Sequence, residues 1–574
     1  MGESVFLVSI VLLLSTLGFM ALHRLWLKPK KTEKYLKKQG IKGPPYKLFY
    51  GTLIEEKKMM KEARSKTLGL SHDIVPRLFP FIHQTIKEYV SDLTAAVGEL
   101  VEQLRLTNLA KASASVKRRG HSQRRGRSRK KGVMEVDGDE DIAEIDSDSS
   151  KLSVTWFGTS PRVIIMDPEI VKEIMSNKFG HYRKLKKNPF WKLLALGTPN
   201  YEGEKWVKHR RIVNPAFHLE KLKGMLPAFS TSCSELVSKW EKLVETDSSC
   251  ELDMWPDLQN LTADIISRTS FGSCFEEGRK IFQLQTEQAE LVTQTAQSLY
   301  FPGFWFLPTK RNKRMKKIDK EVRAALRGII NKREKALKLG EDSKDLLGLL
   351  MESNYKEIRE NGNSKNVGLS IEEVIEECKA FYLAGQETTA VLLTWTMVVL
   401  SMHQDWQVRA REEVLHAFGK AKPDFDGLNH LKVVTLILYE VLRLYPSAIM
   451  LLRQTCKNVK LGDLTLPAGI ELGLPTLLIH QDPEFWGVDA KEFNPGRFSE
   501  GVSKATNNQT SYFPFGLGPR TCIGQNFAMV EAKMALVLIL QHFWFELSSN
   551  YVHAPRTIIT LQPQYGAQII LHKL

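Results

Sequence analysis

Apolar residues occupy this chain in two ways. Between Ser4 and His23 they run almost unbroken, with no Asp, Glu, Lys or Arg, and Val5–Leu22 is nearly all apolar. As a helix that run reaches roughly 27 Å, close to the hydrocarbon thickness of a bilayer. Elsewhere apolar residues recur at helical spacing, broken by short runs of β character. Ser370-Ile371-Glu372-Glu373 is a capping box that opens a long, largely apolar helix to about His403. A second helix covers Leu431 to Leu444 and stops before Pro446, and a further apolar pattern extends from Gln525 to Phe545. Val154–Phe157 and Arg162–Met166 read as two strands joined by a Gly/Pro turn, and Asp167-Pro168-Glu169 then starts a helix. Strand-like runs recur at Val459–Leu466, Glu471–Leu474 and Arg556–Leu571. The pattern predicts a mainly α fold with a minor β-sheet, as one large body.

Charge refines the ends of this picture. Arg24, Lys28, Lys30 and Lys31 follow the apolar run, with Trp26 at interface depth, whereas Glu3 is the one charge before it. That asymmetry predicts an anchor at 1–27 with the bulk of the chain on the cytosolic side. A cleaved secretory signal is the competing reading, but the basic leader is missing and the apolar run is too long. A basic linker and proline hinge, Lys42-Gly43-Pro44-Pro45-Tyr46 at its end, fills 28–46. The net charge of +16 invites a nucleic-acid reading, and Lys117–Lys131 packs nine basic residues into fifteen. Ser91 to Ser150 nevertheless holds eleven basic and eleven acidic residues, so the excess lies elsewhere. A basic body suits an anionic lipid surface and an acidic electron donor. Beyond a short amphipathic stretch near Leu93–Leu104, residues 91–150 are too polar to bury a core and read as a disordered, charged insertion. It is either a natural loop or a foreign segment carried in a gene model.

Six cysteines without a CxxC pair argue against a disulfide scaffold. One of them, Cys522, has surroundings suited to ligation. It follows Phe515-Gly516-Leu517-Gly518-Pro519-Arg520-Thr521 and precedes Ile523-Gly524 and a helix. Backbone N–H groups and the positive end of that helix favour thiolate. Gly524 lets a flat macrocycle approach, Phe515 can cover the sulfur, and Arg520 can meet an anionic edge such as a haem propionate. Ala384-Gly385-Gln386-Glu387-Thr388-Thr389 places small residues and then an acid–alcohol pair inside an apolar helix. Small residues open space there, and the pair suits a proton relay. Back-bonding of Thr388 within its own helix is the plainer alternative. His480, near Asp482, Trp486 and Asp489, lacks a second ligand at useful spacing and reads as a structural loop histidine.

The ten-residue cysteine segment resembles the haem-ligand signature of the cytochrome P450 family, and the resemblance runs from about Lys42 to the C-terminus. It implies that fold in 47–90 and 151–574, haem b as cofactor, and Cys522 as iron ligand. Glu387 and Thr388 would serve oxygen activation. Trp206, Arg210, Arg453 and Arg520 would surround the propionates, with Phe515 and Gly524 beside the sulfur. Glu440, Arg443 and Arg497 would form a buried triad that fixes the cysteine loop. Gly496 and Leu517 depart from residues common in relatives. Trp156-Phe157-Gly158, Asn214-Pro215-Ala216-Phe217-His218 and the C-terminal tail resemble the plant seventy-two clan, which includes secologanin synthase. An apolar terpenoid substrate is then implied, with Phe381, Ala384, Ala448, Ile449, Met450 and Leu561 as pocket candidates. Since the chain has no flavin or nicotinamide motif, an NADPH-dependent P450 reductase on the endoplasmic reticulum membrane is the implied electron source. No nucleic-acid partner is expected. Rivals are a haem-thiolate isomerase or dehydratase, a membrane-tethered nucleic-acid-binding protein, and an inactive product of a gene model carrying the insertion.

Overall fold

The structure is a computed structural model that describes residues 2–89, 151–177, 180–185, 189–244, 248–272, 275–296, 304–340, 344–361 and 367–574. The reading of 91–150 as an insertion, and Cys274, lie outside them. The described residues form two compact units, one of 2–56, 81–89 and 151–167, the other of 57–80 and 168–574.

In the first unit, Gly2–Leu22 is a helix, continued by one wide turn at His23–Leu27 and by the helix Lys28–Lys38. Its apolar side chains, Phe6 and Leu14 among them, stand exposed, and the segment is long and apolar enough to cross a membrane. Strands Leu152–Phe157 and Ser160–Ile165 pair antiparallel, Val154 opposite Val163. The proline hinge is pinned to this hairpin. Val154 N–H donates to the Lys42 carbonyl at 2.9 Å, and a Cβ on Gly43 would stand 2.1 Å from the Val154 oxygen, so glycine is required there. Tyr46 packs on Trp156 at 4.9 Å and donates its hydroxyl to the Leu25 carbonyl at 2.5 Å.

The second unit is built around the helix Ile371–Met402. Ser370 and Glu373 close the capping box, satisfying orphan amides at the helix start. From Thr389 to Ser401 every residue is buried, against the helices Trp255–Phe271, Val433–Leu444 and Gln525–His542. Glu413 caps Val433–Leu444 by accepting from the amides of Lys432, Val433 and Val434. Leu451–Thr455 pairs antiparallel with Glu471–Leu474 and with Tyr182–Arg183. A three-stranded sheet places Gln568–Lys573 between Ser249–Asp253 and Phe543–Leu547.

Three expectations change. The helix that starts at Gln525 ends at His542, and Phe543–Leu547 is a strand. Phe543 and Phe545 alternate inward there, a period-2 signal hidden behind the apolar helix. Val459–Leu466 is a hairpin of two short strands that turns at Gly462, φ +58°. Arg556–Leu571 likewise divides into three strands.

Candidate functional site

Cys522 sits between a short 3-10 turn, Gly518–Arg520, and the helix Gln525–His542. The loop is folded by its own backbone: Cys522 N–H donates to the Phe515 carbonyl at 2.9 Å, and Gly516 N–H to Phe513 at 2.9 Å. Gly516 and Gly518 both have left-handed backbones, φ +76° and +68°. A Cβ on Gly518 would stand 2.7 Å from the Met175 oxygen, so the turn accepts no side chain there. His480, with no exposed surface, accepts from Phe513 N–H at 3.0 Å and stacks on Tyr512. Burial pulls its pKa down to about 3, so it works as a neutral acceptor. The loop histidine is therefore a strut. Among the described residues no cluster of His, Cys, Asp and Glu could hold a metal ion.

The triad residues come together. Arg443 donates to both Glu440 oxygens at 2.8 and 2.7 Å, and Arg497 Nε donates to Glu440 Oε1 at 3.1 Å. Arg443 also reaches the carbonyls of His480, Ala490 and Glu492 at 2.7, 2.5 and 3.0 Å, and Arg497 those of Trp486 and Asp489. Glu440 and Arg443 are wholly buried. Two guanidinium groups thus hold segment 480–497 by its carbonyls, and His480 passes that support to the cysteine loop.

The sulfur is accessible although protein surrounds it at longer range. Cys522 is exposed at its surface, yet burial raises its thiol pKa, opposed by the Gly524 N–H and the Arg210 charge. Amides and a helix end were expected to favour thiolate; desolvation instead dominates in the protein alone, and a metal cation bound by the sulfur would reverse that balance. Gly524 lies beside the sulfur: a Cβ there would stand 4.0 Å from both Sγ and the Phe217 ring, ordinary contact, so the protein alone does not demand glycine at this position. Phe217 in turn packs edge-on against Phe381 at 5.5 Å, which brings the Ile371–Met402 helix beside the cysteine loop.

Three arginines gather near the sulfur. Arg210 lies one turn after Trp206 on the helix Gly203–Val213. Arg520 stacks on Trp206, 4.4 Å from the ring, and donates to Glu202 Oε2 at 2.6 Å. Its Nη1 is buried without a partner. Burial, aided by Arg520, pulls the Arg453 pKa down to about 10. Burial likewise lowers Arg210 and Arg520, whose charges oppose each other. Three crowded, desolvated cations with one carboxylate and an orphaned N–H require further anions. A flat macrocycle with two carboxylates fits this donor set.

On the long helix, Ala384 is exposed between the half-buried Leu383 and Gly385, so the helix meets open space there. Gly385 serves another purpose. A Cβ on it would stand 2.9 Å from Ile266, so it permits close packing on Trp255–Phe271 rather than adding room near Ala384. Thr388 donates to the Ala384 carbonyl at 2.6 Å, the back-bond of the plainer alternative, while its own carbonyl accepts from Ser447 at 3.0 Å. Glu387 pairs with neutral donors, Thr560 at 2.7 Å and Gln562. Of the pocket candidates, Ala448 and Met450 keep accessible surface, whereas Phe381 and Ile449 are nearly closed over by packing. Leu561 has no exposed surface and acts through its backbone, donating to Ser447 and accepting from Trp395. The surface groove lined by Thr231, Glu235, Lys239 and Lys422 shares no residue with this arrangement.

Sequence reasoning missed Glu202, Thr560 and Gln562. Each acts across more than one hundred residues of chain, and no local pattern marks such a pairing.

The family model described as cytochrome P450 matches residues 144–570. Cytochrome P450 CYP72A616 of Paris polyphylla is 54% identical over 551 residues, covering 96% of this chain and 95% of that protein. The 11-oxo-beta-amyrin 30-oxidase of Glycyrrhiza uralensis is 50% identical over 556 residues, covering 96% and 94%. The solved structure of a retinoic-acid-bound cyanobacterial CYP120A1 superposes with a TM-score of 0.64 at 22% identity, over 76% of this chain and 95% of that one, a likeness of fold.

Proposed function

Because the chain belongs to the cytochrome P450 family, among its plant seventy-two members, it is a haem-thiolate monooxygenase, and we propose that it hydroxylates an apolar terpenoid of the triterpene class. Support for that substrate is the half-identical relative whose name is an amyrin oxidase. Cys522 is the proposed iron ligand, and haem so bound supplies activation of dioxygen for insertion of one oxygen atom into a C–H bond. Arg210, Arg453 and Arg520 hold the propionates, and Trp206 braces Arg520. Phe515, whose carbonyl accepts from Cys522 N–H, is the proposed cover of the sulfur, and Gly524 the proposed point of approach of the macrocycle.

Thr388 is the proposed proton donor at the face of the long helix. Its back-bond to Ala384 must exchange for one to solvent or substrate oxygen, a change of rotamer rather than of backbone. Glu387 replenishes that proton and is held by Thr560 and Gln562 until it turns. Electrons come from an NADPH-dependent reductase in the endoplasmic reticulum membrane, where the unburied helix Gly2–Leu22 anchors the chain.

The observation that carries this reading is an open Cys522 beside three desolvated arginines, one with an unpartnered N–H. The test is turnover in reductase-containing microsomes of pentacyclic triterpenes, iridoids and diterpenoids. A hydroxylated triterpene that requires NADPH is expected. Conversion of a hydroperoxide without NADPH would favour the isomerase instead.

A further inference from the structure

Three other arginines meet where no acid answers them. Arg64 lies in the last turn of the helix Leu53–Ser65, Arg77 on the short helix Val75–Leu78, and Arg556 on the strand Pro555–Thr557. Among the described residues none of the three is bridged to a carboxylate. Burial, then the charges of Arg556 and Arg77, lowers the Arg64 pKa, and burial lowers Arg77 as well.

The three differ in what their donors do. Arg77 is buried and donates to neutral acceptors throughout: the carbonyls of Pro555 and Ala63 at 2.8 Å each, that of Lys66, and Gln564 Oε1 at 2.8 Å. It ties the strand to the helix, and its charge stays uncompensated. Arg64 and Arg556 are half-buried, so a ligand can reach them. Arg64 Nη2 donates to the Thr557 carbonyl at 2.9 Å. The Arg64 Nε, the Arg556 Nε and the Thr557 hydroxyl are buried without a partner among the described residues. Like charges with orphaned donors call for an anion. Two N–H groups from two guanidinium planes suit the two oxygens of one carboxylate.

The strand that carries Arg556 leads to the long helix. It pairs antiparallel with Leu561–Pro563, Arg556 opposite Gln562, so these two side chains stand on one face. Gln562 and Thr560 of the same hairpin hold Glu387. At the hairpin tip, Ile559 packs on the apolar cluster of Phe190, Leu193 and Val292, which Leu383 also joins. Leu383 precedes the open Ala384. Ile559 is three residues on from Arg556, roughly 10 Å of extended chain at most. One hairpin therefore offers a cation at its base and apolar surface at its tip. A ligand of several fused apolar rings with an anion at one end matches both, and the continuity with Glu387 favours a substrate over a lipid headgroup.

We propose that Arg64 and Arg556 form a carboxylate-binding subsite, and that the substrate is a terpenoid acid oxidised at a carbon remote from its carboxylate. The inference deepens the terpenoid-hydroxylase reading and rests on it. The free Nε groups of Arg64 and Arg556 hold the carboxylate, the Thr557 hydroxyl adds a third donor, and Arg77 positions both elements. A neutral analogue leaves those donors unanswered and is disfavoured for that reason.

The test titrates the full-length haem-loaded enzyme in phosphatidylcholine vesicles with matched pairs, each a triterpene, diterpenoid or iridoid acid and its methyl ester. The substrate-induced shift of the haem absorption band reads binding. Wild type should bind an acid about tenfold or more tighter than its ester. Arg64→Gln and Arg556→Gln should each bring that ratio to within about threefold. Bound acid, unlike ester, should also shield Arg64 and Arg556 from phenylglyoxal, read by peptide mass spectrometry. Equal wild-type affinity for acid and ester would overturn the proposal. So would a ratio that survives both substitutions, or a wild type in which no acid shields either arginine. Shielding by phosphatidylserine vesicles without any preference for acids would assign the site to lipid and overturn it equally. If a variant does not retain haem, shielding in wild type decides. The parent reading fails differently. An acid preference confined to diterpenoid or iridoid pairs keeps the subsite and removes the triterpene class, whereas a hydroxylated neutral triterpene without acid preference keeps that class and removes the subsite.

Discussion

At the scale of single residues, the site is governed by desolvation. Arg210, Arg453 and Arg520 are all drawn below the ordinary arginine range by burial. Glu202 answers part of that charge, at 2.6 Å from Arg520. A propionate answering the rest would gain charge-assisted hydrogen bonds, so Arg520→Ala should weaken haem retention by about tenfold or more. Haem transfer to apomyoglobin measures this; unchanged transfer would remove Arg520 from the propionate site. Cys522, Glu387, Thr388 and the arginines were legible as candidates because motif residues lie close together in sequence. Their present partners were not. Nothing in Glu387-Thr388 foretells that the acid binds Thr560 and Gln562, or that the alcohol bonds back to Ala384. Gly385 was read as opening space in its helix, whereas it admits Ile266, which belongs to a helix more than one hundred residues away and so left no local signal.

At the scale of elements, the cysteine loop is stiff because elements distant in sequence converge on it. Val433–Leu444 contributes Glu440 and Arg443, Pro495–Phe498 contributes Arg497, and His480 holds the Phe513 amide. Removing the shared carboxylate by Glu440→Gln leaves the buried Arg443 without a counter-charge and Arg497 with Asp489 alone, which should cost about 3–5 kcal/mol. Thermal unfolding of the haem-loaded variant measures it, and a loss under about 1 kcal/mol would show the triad to be dispensable. Elements with strong local signals were legible: the capping box at Ser370, the hairpin Leu152–Phe157 with Ser160–Ile165, and the stop before Pro446. Boundaries failed where an apolar run changed period without a turn residue, as at His542–Phe543. Glu531, wholly buried on Gln525–His542, was missed for a related reason. Within an apolar pattern one acid looks like an outward-facing position, and burial on every side of Gln525–His542 appears only in three dimensions.

At the scale of the whole molecule, acid should be the weak side of the fold. Burial holds His72 at about 3, His553 at about 4 and His480 at about 3, against about 6.5 when unfolded. Because the unfolded chain then binds more protons, the stability these neutral histidines preserve is complete above pH 6.5 and falls as pH drops below it. By pH 5 the loss should reach about 2 kcal/mol for each. Glu531 runs the other way, since its raised pKa penalises folding as pH rises above the usual carboxyl range. Unfolding midpoints between pH 8 and pH 5 should therefore fall, and a flat profile would contradict the neutral, buried state of the three histidines. The central claim is the bond between Cys522 and iron, and the reduced carbon-monoxide difference spectrum of Cys522→Ser beside wild type tests it most directly. Wild type should give the thiolate-type band and the serine variant should lose it while the other folded-state signals persist. A serine variant that keeps the thiolate-type band would contradict the account.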